Sequence, residues 1–363
     1  MVEWKKLGDV CRDIIVPMRD RPKVFDGNIP WCRIEDIEGM YFNRSLSGLM
    51  VSEKVISEMN LKVYPPGTVI CSCSATLGVC AINTQSLITN QTFIGLVCSE
   101  QIQNRFLYYY MLTRKKELLS LSTTGTIPYV SKEKFAKMSI PIPSPIEQTR
   151  IVRILDTFTS SIDNLKQQIA ERRKQYDYYL DKLFDLDEND KFEKKKLKDL
   201  LEFEQPTRYL VKTTEYDNAF KTPVLTAGQS LLLGYTDETE GIYYANKNNP
   251  TIIFDDFTTS FHWIDFDFKV KSSAMKMLRP FKGINFKYVF YAMKNIHFVP
   301  GSHQRHWISI FSHFEINYPP SEYQSEIVSI LDTFIYSIQN LEAQLKLREK
   351  QYEYYRNKLL TFE

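Results

Sequence analysis

Apolar residues recur at heptad spacing in two segments of the chain, and this pattern predicts two long helices. In each segment the apolar positions follow one another at alternating steps of four and three residues. A seam of about 33 residues corresponds to a helix of roughly 50 Å. The seam positions are Ile151, Leu155, Phe158, Ile162, Leu165, Ile169, Tyr176, Tyr179 and Leu183 in the first segment, and Ile327, Leu331, Phe334, Ile338, Leu341, Leu345, Tyr352, Tyr355 and Leu359 in the second.

The two segments are copies of each other. Residues 148–183 align with residues 324–359 at a constant shift of 176, and 21 of the 36 aligned residues are identical. Neither helix can bury so long a stripe alone, so we predict that they pack on each other. The chain leaves the first helix at its C-terminal end, so the second helix begins near that end and must run back to pack along the first. We therefore expect antiparallel packing about a pseudo-two-fold axis. Arg172 and Arg348 interrupt the seam at the same position, either as stems reaching water or as register-setting residues.

Each helix follows a segment that reads as a compact mixed α/β domain. Short apolar runs predict strands at 68–71, 93–97, 251–254, 266–270 and 276–278, and amphipathic runs predict helices at 106–121 and 287–294. The predicted fold class is α+β, with two mixed α/β domains separated by two long antiparallel coiled-coil helices. We expect a first domain over 1–143, a helix and acidic linker over 144–190, a second domain over 191–318 and a second helix over 319–363.

Composition is that of an ordinary globular protein, with 43% hydrophobic and 25% charged residues in 363. There is no run of 18 apolar residues, and the first 20 residues include Asp9, Arg12 and Asp13 where a signal peptide would be apolar. We therefore expect a soluble, cytoplasmic protein without membrane contact. All six cysteines lie in the first 98 residues without paired metal-ligand spacing, so reduced, buried thiols and no metal are expected.

Charge is segregated along the chain. Residues 1–143 hold 17 Lys and Arg against 13 Asp and Glu, and residues 191–318 hold 17 against 14. The helical segments are acidic, with 7 against 10 in residues 144–190 and 5 against 7 in residues 319–363. Two mildly basic domains would suit an anionic partner.

No catalytic motif is present. The sequence has no GxxxxGK[ST] phosphate loop, no GxGxxG, and no Asn/Asp-Pro-Pro-aromatic motif of the kind used by amino-methyltransferases. His303 and His306 are three residues apart but lack an evident third ligand, so a surface or nucleic-acid contact is favoured over a metal site.

The order of domain, helix, domain, helix resembles the specificity (S) subunit of type I restriction-modification systems, over the whole chain. Segments 29–37 (IPWCRIEDI), 75–78 (ATLG), 89–93 (TNQTF), 223–228 (PVLTAG) and 253–259 (IFDDFTT) look like that family's target-recognition domain signatures. The repeated ILDTF sequence and the Pro-x4-Gln pattern before each helix, at 143–148 and 319–324, resemble its domain ends.

This resemblance implies a non-catalytic DNA reader with a bipartite, asymmetric target. The helices would be the spacer that binds two modification (M) subunits, and restriction (R) subunits would join the complex. The chain itself would bind no cofactor, whereas S-adenosylmethionine, ATP and Mg are expected on the partner subunits.

Polar loops beside small residues are the candidate DNA contacts, because side chains there can approach base edges and phosphates. Turn capping is the structural alternative for each Ser and Thr. The candidates are Arg33, Ser74, Thr76, Thr123, Thr124 and Thr126 in the first domain, and Thr226, Gln229, Thr258, Thr259, Ser302, His303, Gln304 and Arg305 in the second. The triple 108–110 (YYY) is expected to pack within a helix.

Two other functions stay open from the residues alone. The chain could be a coiled-coil assembly protein whose globular domains bind protein partners, or a nuclease or methyltransferase with a divergent site. A salt-dependent gel shift on DNA separates the first alternative from a DNA reader. Methyl transfer by the purified chain alone would support the second.

Overall fold

The computed structural model describes residues 2–123, 126–185, 192–228, 230–301 and 304–362. The chain divides into two compact units. Unit 1 comprises Met1–Lys166 and Ala343–Glu363, and unit 2 comprises Gln167–Glu342. Each unit therefore contains one globular part, one end of the first long helix and one end of the second.

The globular part of unit 1 contains nine strands and five short α-helices among its described residues. They are β1 (Glu3–Lys6), α1 (Leu7–Val10), β2 (Cys11–Ile15), β3 (Ile29–Cys32), β4 (Met50–Val51), α2 (Glu53–Glu58), β5 (Val69–Ser72), β6 (Cys80–Ile82), β7 (Ile88–Thr89), β8 (Phe93–Cys98), α3 (Asn104–Leu112), α4 (Lys115–Leu121), α5 (Lys132–Lys137) and β9 (Ser139–Ile142), followed by the long helix α6 (Pro145–Phe184).

Unit 2 repeats this plan with the elements β10 (Glu193–Lys196), α7 (Leu197–Leu200), β11 (Leu201–Glu204), β12 (Thr222–Leu225), β13 (Leu232–Thr236), β14 (Thr251–Asp255), β15 (Phe261–Ile264), β16 (Lys269–Val270), β17 (Met275–Pro280), α8 (Phe286–Lys294) and β18 (Glu315–Tyr318), followed by the long helix α9 (Ser321–Leu360). The strand predictions at 68–71, 93–97, 251–254 and 276–278 are confirmed to within two residues. The strand predicted at 266–270 is shorter, since only its last two residues pair.

The two globular parts have the same sheet topology although their sequences share little. A four-stranded antiparallel sheet has the order β2-β8-β5-β6 in unit 1 and β11-β17-β14-β15 in unit 2. A three-stranded sheet has the order β4-β3-β7 in unit 1 and β13-β12-β16 in unit 2, and its last pair is parallel in both. The internal repeat therefore extends to the fold of the domains.

A two-stranded ribbon joins the start of each globular part to its end. β1 pairs antiparallel with β9, and β10 pairs antiparallel with β18. The backbone N–H of Leu7 donates to Met138 O at 2.8 Å, and that of Leu197 donates to Phe314 O at 3.1 Å. These ribbons lead directly into the long helices, so each helix leaves its globular part from a fixed position.

Within each unit the two long helices run antiparallel, as predicted. In unit 1 the ring of Phe158 stacks on that of Tyr355 at 5.3 Å, while Lys166, further along α6, approaches Glu349, earlier in α9. In unit 2 Tyr179 stacks on Phe334 at 5.3 Å. The two seam arginines make matching contacts with the opposite helix. The guanidinium of Arg172 lies 5.7 Å from the Phe334 ring centre, and that of Arg348 lies 5.8 Å from the Phe158 ring centre.

Burial of the predicted seam positions differs along each helix, and the C-terminal ends also bury residues outside the seam. Ile151, Leu155, Ile327 and Leu331 are at most 1% exposed. Tyr179 and Tyr355, however, are 38% and 41% exposed, and the buried residues at the ends are Leu180, Phe184 and Leu360. These three side chains pack into the globular cores, since Phe184 contacts Tyr288 and Leu360 belongs to the core of unit 1.

One further expectation is corrected by the structure. The helix predicted over 106–121 is broken into α3 and α4, with Thr113 Oγ1 donating to Tyr110 O at 2.7 Å at the end of α3. Tyr108, Tyr109 and Tyr110 pack inside α3 as expected. No helix among the described residues combines the length and apolarity that crossing a bilayer requires.

Candidate nucleic-acid interface

In unit 1 the structure brings together two candidate segments that are about 50 residues apart in sequence. Ala75 N donates to Pro128 O at 3.1 Å, Val130 N donates to Cys73 O at 2.9 Å, and Thr123 N donates to Tyr129 O at 3.0 Å. The β5–β6 turn, with Ser74 and Thr76, is thus held against the segment after α4, which carries Thr123 and Thr126. Thr76, Thr123 and Thr126 are exposed and Ser74 is partly buried.

Arg33 lies on a neighbouring segment that is tied to the same loops. Asn90 N donates to Cys32 O at 3.4 Å, and Cys73 N donates to Thr92 O at 2.8 Å, so the 89–92 turn connects the end of β3 with the end of β5. Arg33 is partly buried, pairs with Glu35 at 2.9 Å and lies 6.0 Å from the Trp31 ring centre. Its charge is therefore already partnered in this structure.

Three exposed residues beside these loops were missed by the sequence analysis. Ile127 is 61% exposed and Tyr129 is 38% exposed, between the predicted Thr126 and the buried Val130. Burial and the nearby Cys73 raise the pKa of Tyr129, while the positive charge of the exposed Arg19 opposes that rise, which places Arg19 near the same loop. For Ile127 and Tyr129, the available signal was their position at the end of a segment rich in Thr and Gly.

In unit 2 the segment after β12 packs against the start of β15. His262 Nε2 forms a 2.9 Å hydrogen bond with Gly228 O, and Ser260 Oγ donates to Ala227 O. Thr226 is partly buried, and its Oγ1 accepts from Gly228 N at 3.0 Å, which is the turn-capping role considered above. Thr258 is exposed and its hydroxyl lies 2.7 Å from Ser260 Oγ.

A buried ion pair anchors the second candidate loop of unit 2. Lys276 Nζ lies 2.6 Å from Asp256 Oδ2, and both side chains are 1% exposed. Asp256 also accepts from the backbone N–H groups of His306 at 2.8 Å, through its carbonyl, and of Trp307 at 3.0 Å, through its carboxylate. Gln304 and Arg305, which immediately precede this anchor, are exposed. The anchor thus fixes the end of the loop that carries these two candidate DNA contacts.

Several candidates are placed otherwise than expected. His306 is 1% exposed and its ring faces Phe298 at 5.6 Å, so the expected surface role is wrong for this side chain. Thr259 is only 8% exposed, so its side chain is largely buried. Its φ of 57° matches the φ of 61° at Ala75 in the equivalent turn of unit 1. Both turns therefore have a left-handed residue, which is uncommon outside glycine. Thr124, Gln229, Ser302 and His303 lie outside the described residues.

The same polar contact joins each globular part to its long helix. In unit 1 Tyr109 Oη donates to Asp156 Oδ1 at 2.8 Å, and Arg105 lies 2.7 Å from the same oxygen. In unit 2 Tyr291 Oη donates to Asp332, and Lys287 lies 3.6 Å from it. Burial, reinforced by the carboxylates, raises the pKa of both tyrosines. An aspartate repeated within the apolar sequence ILDTF was the signal for this contact.

A buried glutamine caps the entry to each long helix. Gln148 Nε2 donates to Pro143 O at 3.0 Å, and its Oε1 accepts from Gln103 N at 2.8 Å. Gln324 Nε2 donates to Pro319 O at 2.8 Å. The Pro-x4-Gln pattern thus has a structural cause, because the amide returns to the carbonyl of the proline that precedes the helix.

In the part of the chain that the structure describes, no group of three or more His, Cys, Asp or Glu side chains is placed to hold an ion. Five of the six cysteines are buried and all six are free thiols. The arrangement offers polar and aromatic loop residues for contact with a ligand surface.

Comparison with known proteins finds specificity subunits of type I restriction enzymes among the relatives of this chain. The specificity subunit of the type I restriction enzyme EcoR124I/EcoR124II from Escherichia coli is 47% identical over 195 residues, which are 51% of this chain and 47% of that protein. The MjaIX specificity subunit from Methanocaldococcus jannaschii is 30% identical over 169 residues, or 45% of this chain and 38% of the relative. The chain thus spans half or less of the length of these curated relatives.

Solved structures share the fold. The S subunit of a type I restriction-modification system from M. genitalium superposes with a TM-score of 0.64 at 16% identity, covering 100% of this chain and 97% of that one. The sequence model of the type I restriction modification DNA specificity domain matches residues 1–172 and again residues 189–348. The chain therefore belongs to the type I restriction modification DNA specificity domain family and carries that domain twice.

Proposed function

We propose that this chain is the non-catalytic specificity subunit of a type I restriction-modification complex, reading a bipartite and asymmetric DNA target. Residues 1–143 and 191–318 would be the two target-recognition domains, and residues 144–190 and 319–363 would supply the helices. Such a role on cellular DNA would place the chain in the cytoplasm.

The observation that carries this proposal is one topology presenting two different loop surfaces. The sheets have the same strand order in both units, whereas the loops at equivalent positions carry Thr76 and Thr126 in unit 1 and Thr258, Gln304 and Arg305 in unit 2. Base recognition depends on the donors and acceptors that a surface presents in the groove. Two unlike surfaces on one frame therefore support two unlike half-sites.

The repeated helices support two copies of one partner. The two helical segments share 21 of 36 aligned residues, and the Tyr–Asp contact that joins helix and globular part occurs in both units. A partner that recognises one copy would therefore find a second site on the other. We infer that two M subunits bind there, and that S-adenosylmethionine, ATP and Mg are held by the M and R subunits.

Methylome sequencing of cells that carry the complete system tests the proposal. The expected motif has two different half-sites with unread base pairs between them, and a continuous or palindromic motif would contradict it. Replacing Gln304 or Arg305 by Ala should cost about 1–3 kcal/mol at one half-site and leave the other unchanged. Thr126→Ala is the matched variant in unit 1 and should affect the opposite half-site.

A chain that only assembles proteins would give a different result. A gel shift with purified chain and M subunit should show binding that weakens steeply with salt, because phosphate contacts release counterions. Retention of the M subunit without any DNA shift would favour the assembly function.

A further inference from the structure

Two ion pairs flank the apolar seam, and each joins the first helix to the second. In unit 1 Lys166 Nζ lies 3.9 Å from Glu349 Oε1. In unit 2 Arg173 Nη2 donates to Glu342 Oε1 at 2.6 Å. In both pairs the basic residue belongs to α6 and the acidic residue to α9.

These four residues occupy only two positions of the internal repeat. With the shift of 176, Lys166 corresponds to Glu342 and Arg173 corresponds to Glu349. Both positions are therefore basic in the first copy and acidic in the second. Most other positions of the repeat keep the same residue in both copies. Ile151, Leu155 and Phe158, for example, are identical to their counterparts Ile327, Leu331 and Phe334.

The apolar seam is consequently a poor guide to which helix should pair with which. An antiparallel pair of two first helices from different chains would preserve most seam contacts, as would a pair of two second helices. The stacked rings and the seam arginines would also be preserved, because Phe158, Arg172 and Tyr179 have identical counterparts. Association of like helices is thus the principal competing arrangement.

The flanking charges discriminate between these arrangements. In a pair of two first helices, Lys166 of each chain would face Arg173 of the other, giving two contacts between positive charges. In a pair of two second helices, Glu342 would face Glu349 twice, giving two contacts between negative charges. Only the pairing of a first helix with a second helix places opposite charges at both positions.

We propose that Lys166, Arg173, Glu342 and Glu349 form a pairing code that joins the first helix to the second and disfavours association between like helices. Its consequence is that association between chains through two first helices or two second helices is disfavoured. The code rests on the helix contacts within the units and is independent of the proposed DNA function.

A full-length chain with a site-specific protease sequence inserted in segment 186–190 provides the test. After cleavage the two halves are no longer covalently linked, and native mass spectrometry distinguishes the mixed pair from dimers of like halves. Unlabelled and 15N-labelled samples are combined, and the urea concentration is raised until labelled and unlabelled halves have exchanged between complexes. The measured quantity is the ratio of mixed to like pairs at equilibrium.

Two variants separate pairing specificity from stability. The two-residue variant, Lys166→Glu with Glu349→Lys, keeps an opposite-charge contact at both places in the mixed pair. It also makes both like pairs attractive, because each helix then carries one acidic and one basic side chain at the two coding positions. The four-residue variant adds Arg173→Glu and Glu342→Lys. The first helix is then acidic and the second basic at both positions, which restores attraction in the mixed pair and repulsion in both like pairs.

The equilibrium constant for exchange of two mixed pairs into the two kinds of like pair should rise by about 10- to 100-fold in the two-residue variant, since exposed ion pairs contribute modestly but several change together. It should return to the wild-type value in the four-residue variant. The wild-type preference should also weaken in 1 M salt, because exposed charges are screened there. Equal ratios in all three proteins, or a preference unaffected by salt, would overturn the pairing code.

Discussion

Removing the buried charge of Lys276 should destabilise unit 2 more than any change to a surface ion pair. Lys276 and Asp256 are 1% exposed, and their charged atoms are 2.6 Å apart. Lys276→Met leaves Asp256 as an uncompensated charge in the interior, which typically costs about 3–5 kcal/mol. For a unit of this size that corresponds to a loss of roughly 6–20 °C in melting temperature.

The loss should be specific to the pair and localised in the chain. In the double variant Asp256→Asn/Lys276→Met no buried charge remains, and the introduced amide retains an acceptor oxygen for the Trp307 N–H, so most of the stability should return. Lys212→Met is the control, because Lys212 and Glu240 are 74% and 86% exposed and 3.6 Å apart. This surface pair should contribute about 0–1 kcal/mol.

Hydrogen exchange with mass spectrometry provides the assay, since it reports the two units separately. Peptides that cover 255–259 and 304–312 should lose protection first in Lys276→Met, because Asp256 holds both segments. Peptides of unit 1 should be unchanged. A Lys276→Met protein within about 1 kcal/mol of wild type, or a double variant as unstable as the single one, would refute the reasoning.

Two further predictions concern the helix junctions and the thiols. Asp156→Ala removes the carboxylate that accepts from the Tyr109 hydroxyl and pairs with Arg105. The local free energy of opening in unit 1, measured by hydrogen exchange, should therefore fall by about 1–3 kcal/mol. Asp332→Ala should have the same effect in unit 2 only, and loss in both units from either change would contradict the assignment. Burial raises the pKa of Cys11, Cys32, Cys73 and Cys98 to about 12, so little thiolate exists at about pH 8. Alkylation, followed by mass spectrometry, should therefore be slow in the native protein and complete in urea. Rapid labelling of Cys32 in the native protein would contradict its burial.

The long helices could be predicted from the sequence because their apolar heptad pattern extends over many residues and occurs twice. Ile151 and Leu155 repeat as Ile327 and Leu331, so the seam could be found twice and checked against itself. The predicted seam did not include Leu180 and Phe184, which are buried in a core shared with the globular part. A heptad pattern describes one partner surface, and it carries no information about where a second one begins.

The domains could be predicted only as a class. Their strands are two to six residues long, and segments such as 16–28 and 205–221 contain no strand, so periodicity has few residues on which to act. The identical order of the two four-stranded sheets depends on pairings between distant strands such as β2 with β8. Local patterns do not determine such pairings.

Loop predictions identified residue types but missed what holds them. Ser74 and Thr126 were selected from separate segments, and backbone hydrogen bonds such as those of Ala75 with Pro128 and Val130 with Cys73 bring those segments together. Lys276 read as one residue of a strand, although its charge anchors a loop that begins about 30 residues later. Buried polar partners of this kind depend on tertiary structure.

The division of the chain into units has a consequence for synthesis on the ribosome. Unit 2 is one continuous segment, Gln167–Glu342, whereas unit 1 needs Ala343–Glu363 in addition to Met1–Lys166. At about 5–20 residues per second, roughly 9–35 s separate the two segments of unit 1 during translation. Throughout that interval the nascent first domain lacks Leu360, which is 2% exposed in the finished core, so the apolar side chains that pack against it are left uncovered. Chaperone binding to ribosome-bound chains should therefore concentrate on the first domain and end when the last helix emerges.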